Sequence, residues 1–225
     1  MRLILLPLAL SLALVNCGSS ESHARSDSAP IAQPADTVAS ASPANATRRS
    51  ALDTAILAGG CFWCMEPPFD KLDGVLSTTS GYTSGSVVNP TYDQVSGGGT
   101  GHTEAVRVVF DPARVTYARL LHVFWRNVDP FARNQQFCDR GDQYRSGIYP
   151  RNAPQKEAAE ASLRAVAARF SQPIATEIVV ATPFYAAEDY HQDYYTKNPV
   201  RYKYYRGRCG RDERLGKIWG NEAGG

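Results

Sequence analysis

The sequence predicts an α+β fold: a two-layer sandwich with a mixed sheet and long functional loops. Three observations lead to this class. Some short apolar runs are typical of strands, other segments have helical periodicity, and the two kinds follow each other in mixed order. Two loops rich in Gly and Tyr, residues 81–103 and 129–153, separate them, and loops of that length inside a compact domain are often functional.

Four segments are predicted to be strands. They are residues 54–58, 75–82, 104–111 and 174–182. In the third segment Val106, Val108 and Phe110 lie two residues apart, so we expect their side chains to share the face that packs on the core.

Three segments are predicted to be helices. The first follows Thr116, whose side chain can cap it. Its apolar stripe consists of Leu120, Leu121, Phe124, Trp125 and Val128. The second spans residues 154–170 and is expected to turn Leu163, Val166, Ala167 and Phe170 inward. The third is a short helix over residues 186–195.

The first 50 residues are predicted to lie outside the fold. Residues 1–17 combine one arginine with an apolar run too short to span a bilayer comfortably, which is typical of a secretory signal. The signal ends in "LVNC", which resembles the lipobox of bacterial lipoproteins, in which the cysteine, here Cys17, is lipidated. The alternative is a cleaved, soluble periplasmic protein. Residues 18–50, rich in Ser, Ala and Pro, predict a disordered tether, which leaves 51–225 as the folded domain.

Export has consequences for location and for cysteine chemistry. We expect the chain in the cell envelope or periplasm, anchored to the membrane through Cys17, and as a monomer. That compartment is oxidising, so cysteines there tend to pair. The formal net charge of +2 and the absence of a Lys/Arg stripe argue against a nucleic-acid partner.

The stretch "AGGCFWCME" carries the strongest chemical signal, because Cys61 and Cys64 stand three residues apart. A structural zinc site commonly needs a second close pair of ligands, and the sequence offers none, so we expect no metal. Two buried, inert thiols remain possible, since free cysteine is often buried. A redox function explains more of the sequence.

The position of Cys61 favours reactivity. Gly59 and Gly60 follow a predicted strand and precede Cys61, which places the thiol near a helix N-terminus, where the macrodipole favours a thiolate. Pro67 and Pro68 are best tolerated in a first turn, so the sequence predicts that this helix starts a few residues after Cys61.

The chain resembles the A-type peptide methionine sulfoxide reductases, and the likeness extends over nearly all of residues 54–221. It is carried by "GCFWCME", "SGYTSG", "NPTYDQV", "SGGGTGHTEAV", "FWRNVDP", "QFCDRGDQYRSGIY", "FYAAEDYHQDYY" and "CGRDERLGKIWG", in the family's order. The resemblance implies a ferredoxin-like sandwich, no cofactor, and reduction of the S epimer of methionine sulfoxide, protein-bound or free. Cys64 departs from it, because many members have glycine there.

The resemblance also implies a role for individual residues. Cys61 is the nucleophile that becomes a sulfenic acid, and Glu104 is the acid for the sulfoxide oxygen. Tyr92 and Tyr144 hold that oxygen, and Asp139 helps to orient the substrate. Taken singly, each of these residues has an ordinary structural interpretation, and their joint spacing raises them above it.

The surroundings of the nucleophile complete the implied site. Phe62 and Trp63 match the walls that receive the substrate methyl group. Cys209, on a C-terminal arm that we expect to swing freely among arginines, is the predicted resolving thiol, with Cys64 as the fallback. Cys138 is predicted to contribute packing, and His102 and His191 structural hydrogen bonds. A thioredoxin-like protein is the expected reductant.

Two other functions stay open at this point. One is a thioredoxin-like dithiol–disulfide oxidoreductase that uses Cys61 and Cys64. The other is a tethered module that binds methionine-containing peptides without turnover. The first leaves Glu104 and the tyrosines unexplained, and steady turnover with a chemical reductant would exclude the second.

Overall fold

The computed structural model describes residues 51–225. The predicted signal, Cys17 and the predicted tether therefore lie outside the described residues. No helix in the described part is long and apolar enough to cross a membrane.

A six-stranded mixed sheet forms the centre of the fold. The described chain has eight strands, of which six form this sheet. They are β1 (Asp53–Gly59), β2 (Val75–Thr83), β3 (Thr103–Phe110), β4 (Gln135–Gln136), β5 (Asp139–Arg140), β6 (Ser146–Ile148), β7 (Glu177–Ile178) and β8 (Tyr185–Ala186). The sheet order is β7-β6-β1-β3-β2-β8, and β4 pairs with β5 separately. Only the β6–β7 pair of the large sheet is parallel.

Seven helices accompany the strands in the described residues. They are α1 (Phe62–Asp70), α2 (Tyr92–Ser96), α3 (Tyr117–Arg126), α4 (Ala153–Ala167), α5 (Tyr194–Lys197), α6 (Pro199–Arg208) and α7 (Arg211–Trp219). The α+β class and the mixed sheet that the sequence predicts are confirmed, whereas the ferredoxin-like assignment stays a prediction.

The main core lies between the sheet and the helices. Its strand residues include Val106, Val108 and Phe110, so the predicted alternation in β3 is confirmed. The whole predicted stripe of α3 is buried, and the Thr116 side chain accepts a hydrogen bond from the Arg119 N–H, as expected for a cap. The opposite face of the sheet carries a smaller cluster around Tyr149.

Several predicted elements differ from the structure. In residues 174–182 only Glu177–Ile178 forms a strand, because the backbone N–H of Ala175 donates to Pro130 O and that of Ala181 to Pro150 O, instead of to a sheet neighbour. In α4, Ala167 is exposed, although Val166 is buried as expected.

The predicted helix over residues 186–195 is also wrong. The segment follows β8 as turns, and a helix begins only at Tyr194. Gln192 explains the difference, because its side-chain amide donates to Ser80 O and Ala187 O and accepts from Ser80 N. These bonds fasten the segment to β2 in a non-helical conformation.

The C-terminal segment is helical and fixed rather than a free arm. Cys209 lies between α6 and α7, and Gly210, at φ +65°, makes the turn between them. Arg211, only 1% exposed, donates to the backbone oxygens of Gly59 (3.0 Å) and Asn127 (2.7 Å). This buried arginine holds α7 against the end of β1, beside the cysteine pair.

Candidate active site

Cys61 lies in the tight turn between β1 and α1. Gly60 adopts φ +81°, and a Cβ there would come within 2.5 Å of the Gln136 side chain, so the turn requires glycine. The helix begins at Phe62, directly after Cys61, and not later as Pro67 and Pro68 suggest. Both prolines lie inside the helix, which is stabilised instead by burial of most of its side chains against the sheet.

Glu104 lies next to this turn and is 2% exposed. Its Oε2 accepts a hydrogen bond of 3.0 Å from the Phe62 backbone N–H, which ties β3 to the start of α1. Burial raises the pKa of the carboxyl to about 8, against the opposing effect of that hydrogen bond. At neutral pH the side chain is therefore mostly protonated and can donate a proton.

A cavity of about 190 Å³ opens beside these groups. It is lined by Cys61, Phe62, Trp63, Tyr92, Glu104, Asp139, Tyr144 and Tyr205. The structure thus brings together all seven pocket residues that the sequence predicts. Burial raises the pKa of Tyr92 to about 12 and raises that of Tyr144 as well, so both hydroxyls keep their protons and can donate hydrogen bonds to an oxygen.

Tyr205, on α6, is the pocket residue that sequence reasoning missed. Its hydroxyl donates to Asp139 Oδ2 at 2.5 Å and lies within hydrogen-bonding reach of the Cys61 sulfur. The Tyr205 hydroxyl therefore lies between the Asp139 carboxylate and the Cys61 sulfur, and its single proton can be donated to one of them at a time. The available signal was the run of tyrosines directly before Cys209.

The aromatic wall is held rigidly by its neighbours. The Trp63 ring stacks on Tyr194 with centroids 3.7 Å apart, and its Nε1–H donates to His191 Nδ1 at 3.0 Å. The His191 ring also lies 4.9 Å from the Phe62 ring. His102 bonds Val87 O through Nε2 at 2.8 Å. Both histidines form structural hydrogen bonds, as the sequence predicts.

The two thiols of α1 interact with each other. Burial raises the pKa of Cys61, with further contributions from Cys64 and Glu104, although the sequence predicts a thiolate favoured by the helix N-terminus. The hydrogen bond from Cys61 lowers the pKa of Cys64 to about 6, and Arg211 and Arg206 act in the same direction. Burial therefore disfavours the thiolate at Cys61, whereas the Cys61 hydrogen bond and the two arginines favour it at Cys64.

The other two cysteines form a disulfide. Cys138 is exposed and bonded to Cys209, with 4.8 Å between their Cα atoms, so the predicted packing role of Cys138 is wrong. The bond joins the strand that carries Asp139 to the end of the helix that carries Tyr205. In the described chain, atoms of Cys138, Asp139 and Cys209 that could bind a metal lie within 4.8 Å of one another. Two of these three atoms are the sulfurs of the disulfide.

Two arginines near Cys209 make contacts with other residues. Arg206 pairs with Asp212 through two of its nitrogens. Arg211 lies over the Phe137 ring at 4.4 Å and points toward the end of β1. Their charges lower the pKa of Cys64.

Known proteins resemble this chain over most of the described residues. A family model described as peptide methionine sulfoxide reductase matches residues 53–223. The chain is 55% identical over 152 residues to a peptide methionine sulfoxide reductase MsrA of Ligilactobacillus salivarius, covering 67% of this chain and 88% of that protein.

Two solved structures resemble the fold. Methionine sulfoxide reductase A of Corynebacterium diphtheriae has a TM-score of 0.61 and 36% identity, over 66% of this chain and 76% of that one. Mxr1 from Saccharomyces cerevisiae in reduced form has a TM-score of 0.63 and 32% identity, over 66% of this chain and 86% of that one.

Proposed function

The chain belongs to the peptide methionine sulfoxide reductase family, and from that premise we propose that it reduces the S epimer of methionine sulfoxide at Cys61, with Glu104 as the acid. One observation carries the proposal: a buried carboxyl with a pKa of about 8 shares a cavity of about 190 Å³ with a thiol and two protonated tyrosines. Oxygen cannot leave sulfur as a bare oxide, so the reaction needs such a proton donor.

The chemical step follows from these positions. The Cys61 sulfur attacks the sulfoxide sulfur while the Cys61 proton passes to the Cys64 thiolate. Glu104 protonates the sulfoxide oxygen, which Tyr92 and Tyr144 hold by hydrogen bonds. Oxygen ends on Cys61 as a sulfenic acid and methionine leaves, so the methionine sulfur is reduced by two electrons and the cysteine sulfur is oxidised by two.

The direct test is turnover on separated epimers. The purified chain receives each epimer of a methionine sulfoxide peptide together with a dithiol reductant. We expect methionine from the S epimer and none from the R epimer. Equal turnover of both epimers would contradict the proposed stereochemistry, and no turnover of either would remove the function. Insulin reduction, measured in parallel, is expected to be slow and separates the proposal from a general dithiol oxidoreductase.

The rate should fall as the pH rises above about 8. Glu104 is active when protonated, and burial raises its pKa to about 8, so its acid form is present below that pH and is lost above it. The measurement is single-turnover methionine formation from pH 6 to 10 with pre-reduced protein. A rate that rises steadily to pH 10 would mean that Glu104 is not the acid.

Two thiols compete to resolve the sulfenic acid. The sequence predicts Cys209, with Cys64 as the fallback. Cys64 shares a hydrogen bond with Cys61, whereas Cys209 is held by Cys138 and becomes available only after that disulfide is reduced. This geometry supports Cys64 for the first disulfide, and we propose it, while Cys209 remains the alternative that the same experiment tests.

Resolution is tested with two serine variants. We expect Cys64→Ser to lose most thioredoxin-coupled turnover and Cys209→Ser to keep it, because the sulfenic acid lies beside Cys64. In wild-type protein, one equivalent of substrate should give a Cys61–Cys64 disulfide by peptide mapping. A Cys61–Cys209 disulfide, with turnover lost in Cys209→Ser, would restore the original prediction. A thioredoxin-like protein then reduces the disulfide in each cycle.

We further propose that the enzyme is an exported lipoprotein that repairs oxidised proteins of the cell envelope or periplasm, as a monomer. The support is the signal-like run and the lipobox-like "LVNC". We expect the full-length chain in the membrane fraction and Cys17→Ala to abolish lipid attachment, with Cys209→Ser as the matched control. A mature N-terminus beyond Cys17 in mass spectrometry would contradict the anchor.

A further inference from the structure

A second groove of about 470 Å³ lies directly beside the catalytic cavity. It is lined by Trp63, Cys138, Arg201, Tyr204, Tyr205, Arg208 and Cys209. Trp63 and Tyr205 also line the catalytic cavity, so the two spaces are adjacent across these two side chains. The groove is therefore the neighbouring space on the side of the cavity that Trp63 and Tyr205 form.

The groove is basic and aromatic. Helix α6 contributes most of its lining and contains no acidic residue. Arg201 is exposed and forms no hydrogen bond or ion pair with any described residue, and Arg208 only covers the Tyr204 ring at 5.9 Å. Arg206, on the same helix, pairs with Asp212. The two arginines of α6 that have no carboxylate partner in the described chain, Arg201 and Arg208, are therefore the two that line the groove.

The groove also exposes an aromatic ring. Tyr204 is 67% exposed, although it stands beside the active site. Aromatic rings beside unpaired arginines are typical of surfaces that bind polypeptide, because such side chains are enriched at interface hot spots. The two unpaired positive charges are complementary to carboxylates.

The size of the catalytic cavity decides what occupies the groove. A space of about 190 Å³ has room for one side chain but not for the polypeptide on either side of it. In an oxidised protein the flanking residues must therefore lie outside the cavity, and the adjoining groove is available to receive them.

We propose that this groove binds the polypeptide segment that flanks the methionine sulfoxide and that Arg201 and Arg208 select segments with acidic residues. The inference rests on the proposed function, because it places the substrate chain relative to Cys61. It makes oxidised proteins with acidic sequence near the sulfoxide the preferred substrates. Free methionine sulfoxide does not reach the two arginines.

The test uses the full-length chain in single turnover with the Cys138–Cys209 disulfide intact, since Cys61 and Cys64 are already free and no external reductant is needed. Three substrates are compared: a peptide with aspartates flanking the sulfoxide, the same peptide with lysines, and N-acetylmethionine sulfoxide amide. We expect the double variant Arg201→Ala/Arg208→Ala to process the aspartate peptide roughly three- to tenfold more slowly at low substrate, as expected for the loss of two exposed ion pairs. The rate on the small amide should not change.

A charge reversal and a distant control sharpen the result. Arg201→Glu/Arg208→Glu should prefer the lysine peptide, which a merely structural defect would not produce. Arg164→Ala, which removes an exposed arginine on α4, should behave as wild type on all three substrates.

Three outcomes would overturn the inference. The first is an equal rate on both peptides in wild-type protein. The second is that Arg201→Ala/Arg208→Ala loses as much rate on the small amide as on the aspartate peptide. The third is that the double variant changes only the dependence of steady-state turnover on thioredoxin concentration. The last would assign the groove to the reductant. Retained turnover of the small amide keeps the proposed function intact in each case, whereas its absence in wild-type protein would count against that function itself.

Discussion

Replacing Cys61 with serine should abolish methionine sulfoxide reduction, in single turnover as well as in steady state. Cys61 is the only free thiol that lines the catalytic cavity in the described structure, since Cys64 is 1% exposed and lies behind it. A serine hydroxyl is far less nucleophilic than a thiolate and cannot be oxidised to a sulfenic acid. The measurement is methionine released per protein by chromatography, with a dithiol present and absent.

Cys209→Ser is the matched control for this result. It exchanges the same atoms at a cysteine that does not line the catalytic cavity. We expect it to release methionine in a single turnover at close to the wild-type rate. Measurable methionine from Cys61→Ser would remove Cys61 as the nucleophile.

Glu104→Gln should lower the rate of the chemical step by roughly 10²–10⁴-fold, which is the usual contribution of a general acid. Glutamine keeps the shape of the side chain and an oxygen that can accept the Phe62 N–H, but it has no acidic proton to give. Substrate binding should change little, so the loss should be found in kcat more than in KM.

The pH dependence separates loss of the acid from loss of structure. In Glu104→Gln the decline above about pH 8 should disappear, because the group that titrates there has been removed. A variant with a near-normal rate and an unchanged decline would mean that Glu104 is not the acid.

The alternation of β3 and the cap of α3 could be predicted because their signals are local, whereas the pocket residues could be predicted from a family resemblance. The alternation of Val106, Val108 and Phe110, and the cap at Thr116, depend on a few neighbouring residues and are confirmed. The pocket residues came from motifs whose order along the chain matches a family, and the structure gathers them around one cavity.

The parts that were missed depend on contacts between distant residues. The partners that hold residues 186–195 in turns, Gln192 with Ser80, lie 112 residues apart in sequence. Cys138 pairs with Cys209 across 71 residues, which no local spacing indicates. The pKa of Cys61 was expected to fall because of the helix N-terminus, but burial, a tertiary property, raises it.

The most direct test of the account is the fate of the sulfoxide oxygen in a variant that retains Cys61 as its only cysteine. After one equivalent of the S epimer and no reductant, intact mass and peptide mapping measure where oxygen is added. We predict one methionine released per protein and one oxygen added at Cys61, as the sulfenic acid. Methionine released without oxygen on Cys61 would contradict the account.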